Sequence, residues 1–412
     1  MLEIRRSLTP TLRAHLAKPE ITLLIGPRQA GKTTLLRELT RELNAAGKRT
    51  LFYNLDIERD RRHFTNQESL VNVLTAVTGG VRHYVFIDEI QRITDAGLFL
   101  KGLFDRGLPH KLIVTGSGSL ELKEKIAESL VGRKRSFYLF TVSPGEYAHY
   151  RTEYLHGERL PAVLHADATL ADTVLQEYTR FGGYPAVVTD ATVDDKLETL
   201  NEIYQGYIER DIRSLLQLEK TAAFVTLLRL VANRSGQTIN YSDLAKLTGL
   251  STPTLKNYLW YAEKTFITLP IGPYFTNKEK EIVKSPIYYM LDLGLRNFLR
   301  GVYDDPSDTG ARFETMVFRL LEERFRTGVA RLHYWQTKAR AEVDFVVNRG
   351  YDLLPVEVKS GSLKAPKVTR SYHSFLSSYR PKEGWIVNRS LRAEIKVENT
   401  TVRFIPWYDL LT

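Results

Sequence analysis

The stretch Ile21-Thr22-Leu23-Leu24-Ile25-Gly26-Pro27-Arg28-Gln29-Ala30-Gly31-Lys32-Thr33-Thr34-Leu35-Leu36 decides how the rest of the chain is read. A short apolar run enters G-x-x-x-x-G-K-T at Gly26, and Leu35, Leu36 and Leu39 then recur at helical spacing. A strand, a glycine-bearing loop and a helix start are the context in which such a match predicts a phosphate loop. Glycines let successive backbone N–H groups turn inward, and the helix start adds partial positive charge. Gly26, Pro27, Arg28, Gln29, Ala30, Gly31, Lys32, Thr33 and Thr34 are therefore the expected contacts to a nucleoside triphosphate. Lys32 is expected to reach the β- and γ-phosphates, and the Thr33 hydroxyl to hold Mg²⁺. The alternative, a chance Gly/Lys-rich turn, leaves the strand and helix on either side unexplained.

A second signature follows at Tyr84-Val85-Phe86-Ile87-Asp88-Glu89. A strand buried on both faces loses its alternation, and its acids fall at the C-terminal edge, where open α/β sheets bind ligands. Asp88 is expected to hold Mg²⁺ and Glu89 to polarise the attacking water as general base. Alone, the pair could end any buried strand. The run Lys111-Leu112-Ile113-Val114-Thr115-Gly116-Ser117 is a further strand, and Ser117 is placed to sense the γ-phosphate and orient water. A helix from about Leu120 to Leu130 should stop at Val131-Gly132-Arg133, before the strand Ser136-Phe137-Tyr138-Leu139-Phe140.

These motifs resemble the AAA+ ATPases, in particular the prokaryotic branch reading G-P-R-Q-x-G-K-T and D-E-I-Q. Here those are Gly26 to Thr33 and Asp88-Glu89-Ile90-Gln91, and the match continues through Thr115-Gly116-Ser117, Gly132-Arg133 and Ser143-Pro144-Gly145-Glu146-Tyr147. The resemblance implies ATP as the nucleotide. It also implies that Arg133 is an arginine finger entering a neighbouring subunit's site, and hence a homo-oligomer such as a ring. The bland reading of Arg133 is a surface arginine within Arg133-Lys134-Arg135.

The chain has 412 residues, more than one core accommodates. The expected division is an ATPase core at 1–150, a helical lid at 151–225, a winged helix at 226–300 and a C-terminal α/β domain at 301–412. In the lid, Arg180-Phe181-Gly182-Gly183-Tyr184-Pro185 breaks the helical pattern, and Tyr204 to Ile212 resembles a further family feature. Arg180 and Arg210 are both candidates for a second arginine at the nucleotide, and either fits an ordinary salt-bridged arginine equally. From Thr238 to Leu259 a short helix, a glycine turn and a helix opened by Ser-x-Pro read as helix-turn-helix. A β-wing with the tip Asn277-Lys278-Glu279-Lys280-Glu281 is expected next. Thr252, Thr254, Lys256 and Asn257 would face DNA, although few of them are cationic and winged helices also dock proteins.

In the tail, Glu342-Val343-Asp344-Phe345-Val346-Val347 and Leu354-Pro355-Val356-Glu357-Val358-Lys359 alternate around a polar turn. Period two puts Asp344 and Glu357 close together in an antiparallel pair, and Mg²⁺ is the natural compensation for two such carboxylates. Lys359 would orient the bound water. The arrangement Asp…Glu-x-Lys resembles the restriction-endonuclease-like PD-(D/E)XK superfamily, with valine where the nominal motif has proline before Asp344. Through that resemblance Glu314 is the upstream helical acid, so Glu314, Asp344 and Glu357 form the expected metal set. The plain alternative is a cross-strand ion pair of Glu342 with Lys359 on a wet sheet face, or a nuclease fold kept only for binding.

A net charge of +10 and a pI near 9.4 fit a nucleic-acid partner, DNA in the first instance, and fit a merely basic protein nearly as well. No membrane span or signal core is legible, so a cytoplasmic protein without a membrane partner is expected. The absence of cysteine excludes disulfides, thiolate metal sites and cysteine nucleophiles. The leading expectation is an AAA+ ATPase acting on nucleic acid, with a Mg²⁺-dependent endonuclease activity in its tail. The rival is a nucleotide-controlled signalling or scaffolding switch whose tail cuts nothing.

Overall fold

The computed structural model of the chain describes residues 2–117, 130–208, 212, 221–277, 279, 281, 284–326 and 328–411. Its N-terminal sheet has five strands: β1 (Ile21–Gly26), β2 (Thr50–Asn54), β3 (Tyr84–Asp88), β4 (Lys111–Ser117) and β5 (Lys134–Tyr138). All pair in parallel in the order β2-β3-β4-β1-β5. β1 and β4 are buried along their whole length, which explains why neither alternates in sequence. Helices α1 (Thr9–His15), α2 (Lys32–Ala45), α3 (Gln67–Thr78) and α4 (Ala96–Asp105) accompany the sheet. Leu24, Phe86 and Ile113 pack with Leu35, Leu36 and Leu39 of α2, while Leu23, Val85 and Val114 join Leu70 and Leu100 in a separate apolar cluster. Register sets Gly26 opposite Ser117, and β3 ends at Asp88, so the three expected site segments finish at one edge.

Helix α5 (Pro144–Arg151) follows β5 and opens with a complete capping box between Ser143 and Glu146. Helices α6 (Ala168–Phe181) and α7 (Val193–Gly206) follow further along the chain. Arg180-Phe181-Gly182-Gly183-Tyr184-Pro185 is a tight junction there. Asp292 accepts from the Gly183 N–H at 2.9 Å, and a Cβ on Gly183 would lie 2.0 Å from the Val142 carbonyl. Pro185 brings the same junction against Gly31 of the phosphate loop.

Helices α8 (Thr221–Asn233), α9 (Tyr241–Thr248) and α10 (Thr252–Lys264) precede a hairpin of β6 (Thr268–Ile271) and β7 (Ile287–Met290). Thr238 bridges to Ile287, so a short third strand segment lies beside β7. Asn240 caps α9, Gly249 ends it in the left-handed conformation, and Ser251 caps α10 with Pro253 in its first turn. The connection beyond β6 does not project freely at its base. Pro273 bridges to Tyr334, and Tyr274 N donates to Tyr334 O at 2.6 Å. Lys278 and Lys280 of the expected wing tip lie outside the described residues, as do Arg210 and the expected helix 120–129.

Helix α11 (Leu293–Arg300) joins the middle to the C-terminal part, which begins with α12 (Thr309–Phe325). A six-stranded mixed sheet follows, in the order β12-β13-β11-β10-β9-β8. Its strands are β8 (Arg331–Gln336), β9 (Glu342–Asn348), β10 (Leu353–Lys359), β11 (Glu383–Asn388), β12 (Ala393–Val397) and β13 (Thr400–Pro406). Phe345, Val347, Leu354 and Val356 face α12, while Val346, Ile386 and Phe404 pack on α13 (Arg370–Tyr379). The tail thus combines helices with a mixed sheet. Among the described residues no helix is long and apolar enough to cross a membrane.

Candidate nucleotide-binding site and acidic cleft

The loop between β1 and α2 is built around conformations that only small or unbranched residues tolerate. A Cβ on Gly26 would sit 1.9 Å from the Leu139 carbonyl, and Gly31 has φ +92°. Gln29 adds a left-handed turn at φ 59°. No side chain caps α2, so its first N–H groups remain directed at the loop's interior. Lys32, buried, folds back to donate to Gly26 O at 3.0 Å and Pro27 O at 2.7 Å. The fit to an anionic polyphosphate follows from these groups together: uncapped amides, helix polarity and one buried ammonium.

The two nucleotide motifs meet directly. Thr33 Oγ1 donates to Asp88 Oδ2 at 2.7 Å, and Asp88, fully buried, accepts from Thr115 Oγ1 on its other oxygen. Thr115 Oγ1 also receives the Glu89 N–H at 3.1 Å. Glu89 is held in the left-handed region at φ 61°, and the Gln91 amide donates to its carboxylate. Burial raises the Glu89 carboxyl above its ordinary value, against the opposing pull of Lys32. Gln91 Oε1 accepts the Ser117 N–H at 3.3 Å, while the buried Ser117 Oγ has no hydrogen-bond partner among the described residues. An orphaned hydroxyl at this edge fits a site that an anion or water completes.

Three residues that matter here escaped the sequence reading. Thr115 and Gln91 lay inside quoted motifs without an assigned role. Arg6 carried no local signal, yet its guanidinium donates to Ala30 O at 2.8 Å, Phe140 O at 2.6 Å and Glu146 at 3.0 Å. Beside it, Ile4, Gly31, Thr34, Leu35, Pro185 and Ala186 line a cleft of about 270 Å³ next to the loop. The structure gives Arg180 other company: it pairs with Asp304 at 2.6 Å and lies over the Phe181 ring. Arg133 stands just ahead of β5, where its Nε donates to Asp105 at 2.6 Å within the same chain.

At the C-terminal sheet the hairpin register is the expected one, with Leu353 opposite Asn348 through Val356 opposite Phe345. Regular pairing then stops, because the Asp344 carboxylate takes the Val358 N–H at 2.7 Å. Asp344 lines a cleft of about 320 Å³ with Glu314 and Glu342. Glu357 is instead held by Thr369 Oγ1 at 3.0 Å and by Lys359 Nζ at 2.6 Å. Lys359 thus pairs within its own strand rather than across to Glu342. Among the described residues no group of three His, Cys, Asp or Glu forms a ready-made metal cage, although Glu314 and Glu357 both act electrostatically on Asp344. The other wall of the cleft comes from the middle segment: Gly236, Gln237 and Tyr289, whose hydroxyl donates to Glu314 at 2.6 Å. Burial, with Glu342 nearby, pushes the Glu314 carboxyl up to about 7, and burial with Glu314 raises Asp344 well above the carboxylate range.

Residues 18–148 match the family model of an AAA domain. Residues 172–305 and 309–410 match two domains of unknown function, DUF8612 and DUF4143. An uncharacterized protein of Mycobacterium tuberculosis is 27% identical over 91% of this chain and 78% of that protein. One of Methanocaldococcus jannaschii is 28% identical over 96% of this chain and 85% of its own length. Similar solved structures include AMPPCP-bound DnaA from Aquifex aeolicus, at 14% identity and TM-score 0.26 over 62% of this chain and 86% of that one. Cdc6p from Pyrobaculum aerophilum aligns at 12% identity and TM-score 0.30 over 78% of this chain and 96% of that one. The family match and the five-stranded parallel order together give the N-terminal part an AAA+ P-loop fold.

Proposed function

We propose that the chain is an ATP-binding and ATP-hydrolysing AAA+ ATPase that acts on nucleic acid, DNA in the first instance. The observation that carries this reading is the Thr33–Asp88 hydrogen bond, which places both halves of a nucleotide site in contact at the end of one parallel sheet. With ATP in place, Lys32 exchanges the Gly26 and Pro27 carbonyls for phosphate oxygens. The nucleobase fits the cleft beside Thr34, Leu35 and Pro185. Thr33 and Asp88 would hold Mg²⁺, which would supply neutralisation of developing phosphate charge. Glu89, half-buried and with its carboxyl raised above its ordinary value, takes the proton of the attacking water, and Ser117 Oγ helps orient that water.

Arg133 is the proposed finger in trans, exchanging Asp105 for a neighbouring subunit's phosphate in a homo-oligomer. Residues 221–290 support a winged helix, with Lys256 and Asn257 exposed on α10 and the wing's base fixed to β8. Of the domain limits proposed at 150, 225 and 300, the last coincides with the end of α11, whereas the first two fall within α5 and α8. The test is ATP turnover by the purified protein with and without DNA. Turnover that DNA accelerates supports the reading, and absence of turnover in both conditions overturns it.

For the tail, the Asp344–Glu357–Lys359 arrangement supports a Mg²⁺-dependent endonuclease, with Glu314 as a further ligand. A specific observation favours the rival, a switch with a non-cleaving tail: among the described residues no three-ligand cage is preformed, and the middle segment walls the cleft. Nicking of supercoiled plasmid with Mg²⁺ or Mn²⁺ separates the two.

A further inference from the structure

One helix reaches from the acidic cleft to the phosphate loop. α12 carries Glu314 into the cleft and, nine residues later, Glu323 into a second junction, about 13 Å further along its axis at ~1.5 Å per residue. There Ser7 Oγ lies 3.1 Å from Glu323 Oε1. Ser7 also faces Glu146 Oε1, through its N–H at 2.6 Å and its hydroxyl at 2.9 Å. The other Glu146 oxygen accepts from Arg6, and Arg6 donates to Ala30 of the loop. A continuous path of polar contacts, Ala30–Arg6–Glu146–Ser7–Glu323, thus joins the loop to α12. Phe140 reinforces it, with the guanidinium groups of Arg319 in α12 and of Arg326 just past its end at 5.4 and 4.0 Å from its ring centroid.

The path is electrostatically poised. Glu146 and Glu323 are carboxylates sharing one serine hydroxyl, and the Arg6 guanidinium offsets their repulsion from the loop side. Burial, and after it the nearby Glu146, hold the Glu323 carboxyl above its ordinary value, against the opposing pull of Arg319 and Arg326. Arg6 lies close to the nucleotide as well: Nη1 is 3.7 Å from where a Cβ on Gly31 would stand, and Arg6 lines the cleft with Thr34. A second cleft of about 530 Å³, bounded by Arg6, Glu146, Glu323 and Leu411, leaves these side chains room to rearrange.

We propose that Arg6 is a nucleotide-responsive positioning residue: polyphosphate in the loop draws its guanidinium from Glu146, and the less compensated Glu146–Glu323 pair loosens α12 and so moves Glu314. This inference rests on the nucleotide-binding reading above. The coupling is reciprocal, so whatever relieves Glu323 also tightens nucleotide binding.

Hydrogen exchange on the full chain, with Mg²⁺ and the non-hydrolysable analogue AMPPNP, tests it. In the wild type the analogue should slow exchange across 32–45 and speed exchange across 318–326 by about five-fold or more. In Glu323→Gln, and in Ser7→Ala as a second variant, the analogue should still protect 32–45 while the response at 318–326 falls below about two-fold. Glu323→Gln should also bind the analogue more tightly, read by fluorescence titration. Protection at 32–45 with no change at 318–326 in the wild type overturns the relay, as does an undiminished response in both variants. No protection at 32–45 overturns the nucleotide reading, and the relay falls with it.

Discussion

Thr33 and Asp88, separated by 55 residues in the chain, are joined by a 2.7 Å hydrogen bond from hydroxyl to carboxylate. The bond fixes the start of α2 against the end of β3, and every proposed step of nucleotide chemistry is arranged around it. Asp88 is completely buried, so its second oxygen also needs a donor, and Thr115 provides it. Glu89, the next residue, is thereby aimed at the same edge through the Thr115 hydroxyl.

Glu89→Gln keeps the side-chain volume and removes the base. It should bind ATP with near wild-type affinity and lose turnover by at least about 10²-fold. Single-turnover hydrolysis at saturating ATP checks this, and wild-type turnover in the variant would remove Glu89 from its role.

Arg133→Ala should bind ATP nearly as the wild type does while turnover falls by about 10³-fold. Because the finger acts between subunits, wild-type turnover per chain should rise with protein concentration. Turnover that is independent of concentration and survives the substitution assigns Arg133 to its Asp105 ion pair alone.

The Glu314 carboxyl, pushed up to about 7 mainly by burial, makes stability fall as pH rises. Above about 4.5 the unfolded chain releases this proton while the folded chain keeps it until about 7, so the folded state loses ground through that window and levels off beyond. Wild type should therefore lose more Tm than Glu314→Gln between pH of about 5 and about 8. Calorimetric scans of both proteins measure it, and parallel pH profiles would contradict it.

Gly26→Ala and Gly183→Ala each drive a Cβ into a backbone carbonyl, at 1.9 Å from Leu139 O and 2.0 Å from Val142 O. Both should lower stability by about 2 kcal/mol or more. Gly206→Ala, in helix α7 with open space around it, should be neutral or slightly stabilising. Thermal melts of the three proteins check the contrast.

Asp344→Ala and Lys359→Ala should abolish any Mg²⁺- or Mn²⁺-dependent plasmid nicking by the wild type. Nicking that persists in both variants places the activity elsewhere, and no nicking by any of them favours the non-cleaving tail.

Much of the nucleotide site was legible because its chemistry is local. Gly26, Gly31, Lys32 and Thr33 stand within one turn of chain, and Asp88-Glu89 ends a strand whose unbroken apolar run already reported burial on both faces. The hairpin around Asp344 and Glu357 was legible for the same reason, since period two and a four-residue turn fix its register. What stayed hidden depends on distant partners. Arg6 meets Glu146 across 140 residues, and Tyr289 reaches Glu314 from another segment. No periodicity encodes such meetings. The irregularity at Asp344, where a side chain replaces a ladder bond, also lies beyond any pattern of alternation. Ser143-Pro144-Gly145-Glu146-Tyr147 gained its physical meaning only in the fold, as a capping box whose glutamate also holds Arg6.

The central claim is most directly tested by isothermal titration of the pure, folded protein with Mg·ATP, beside Lys32→Ala. The account predicts a saturable heat for the wild type and none for the variant, whose loop has lost its buried ammonium. No heat from the wild type, or equal heats from both, would contradict it.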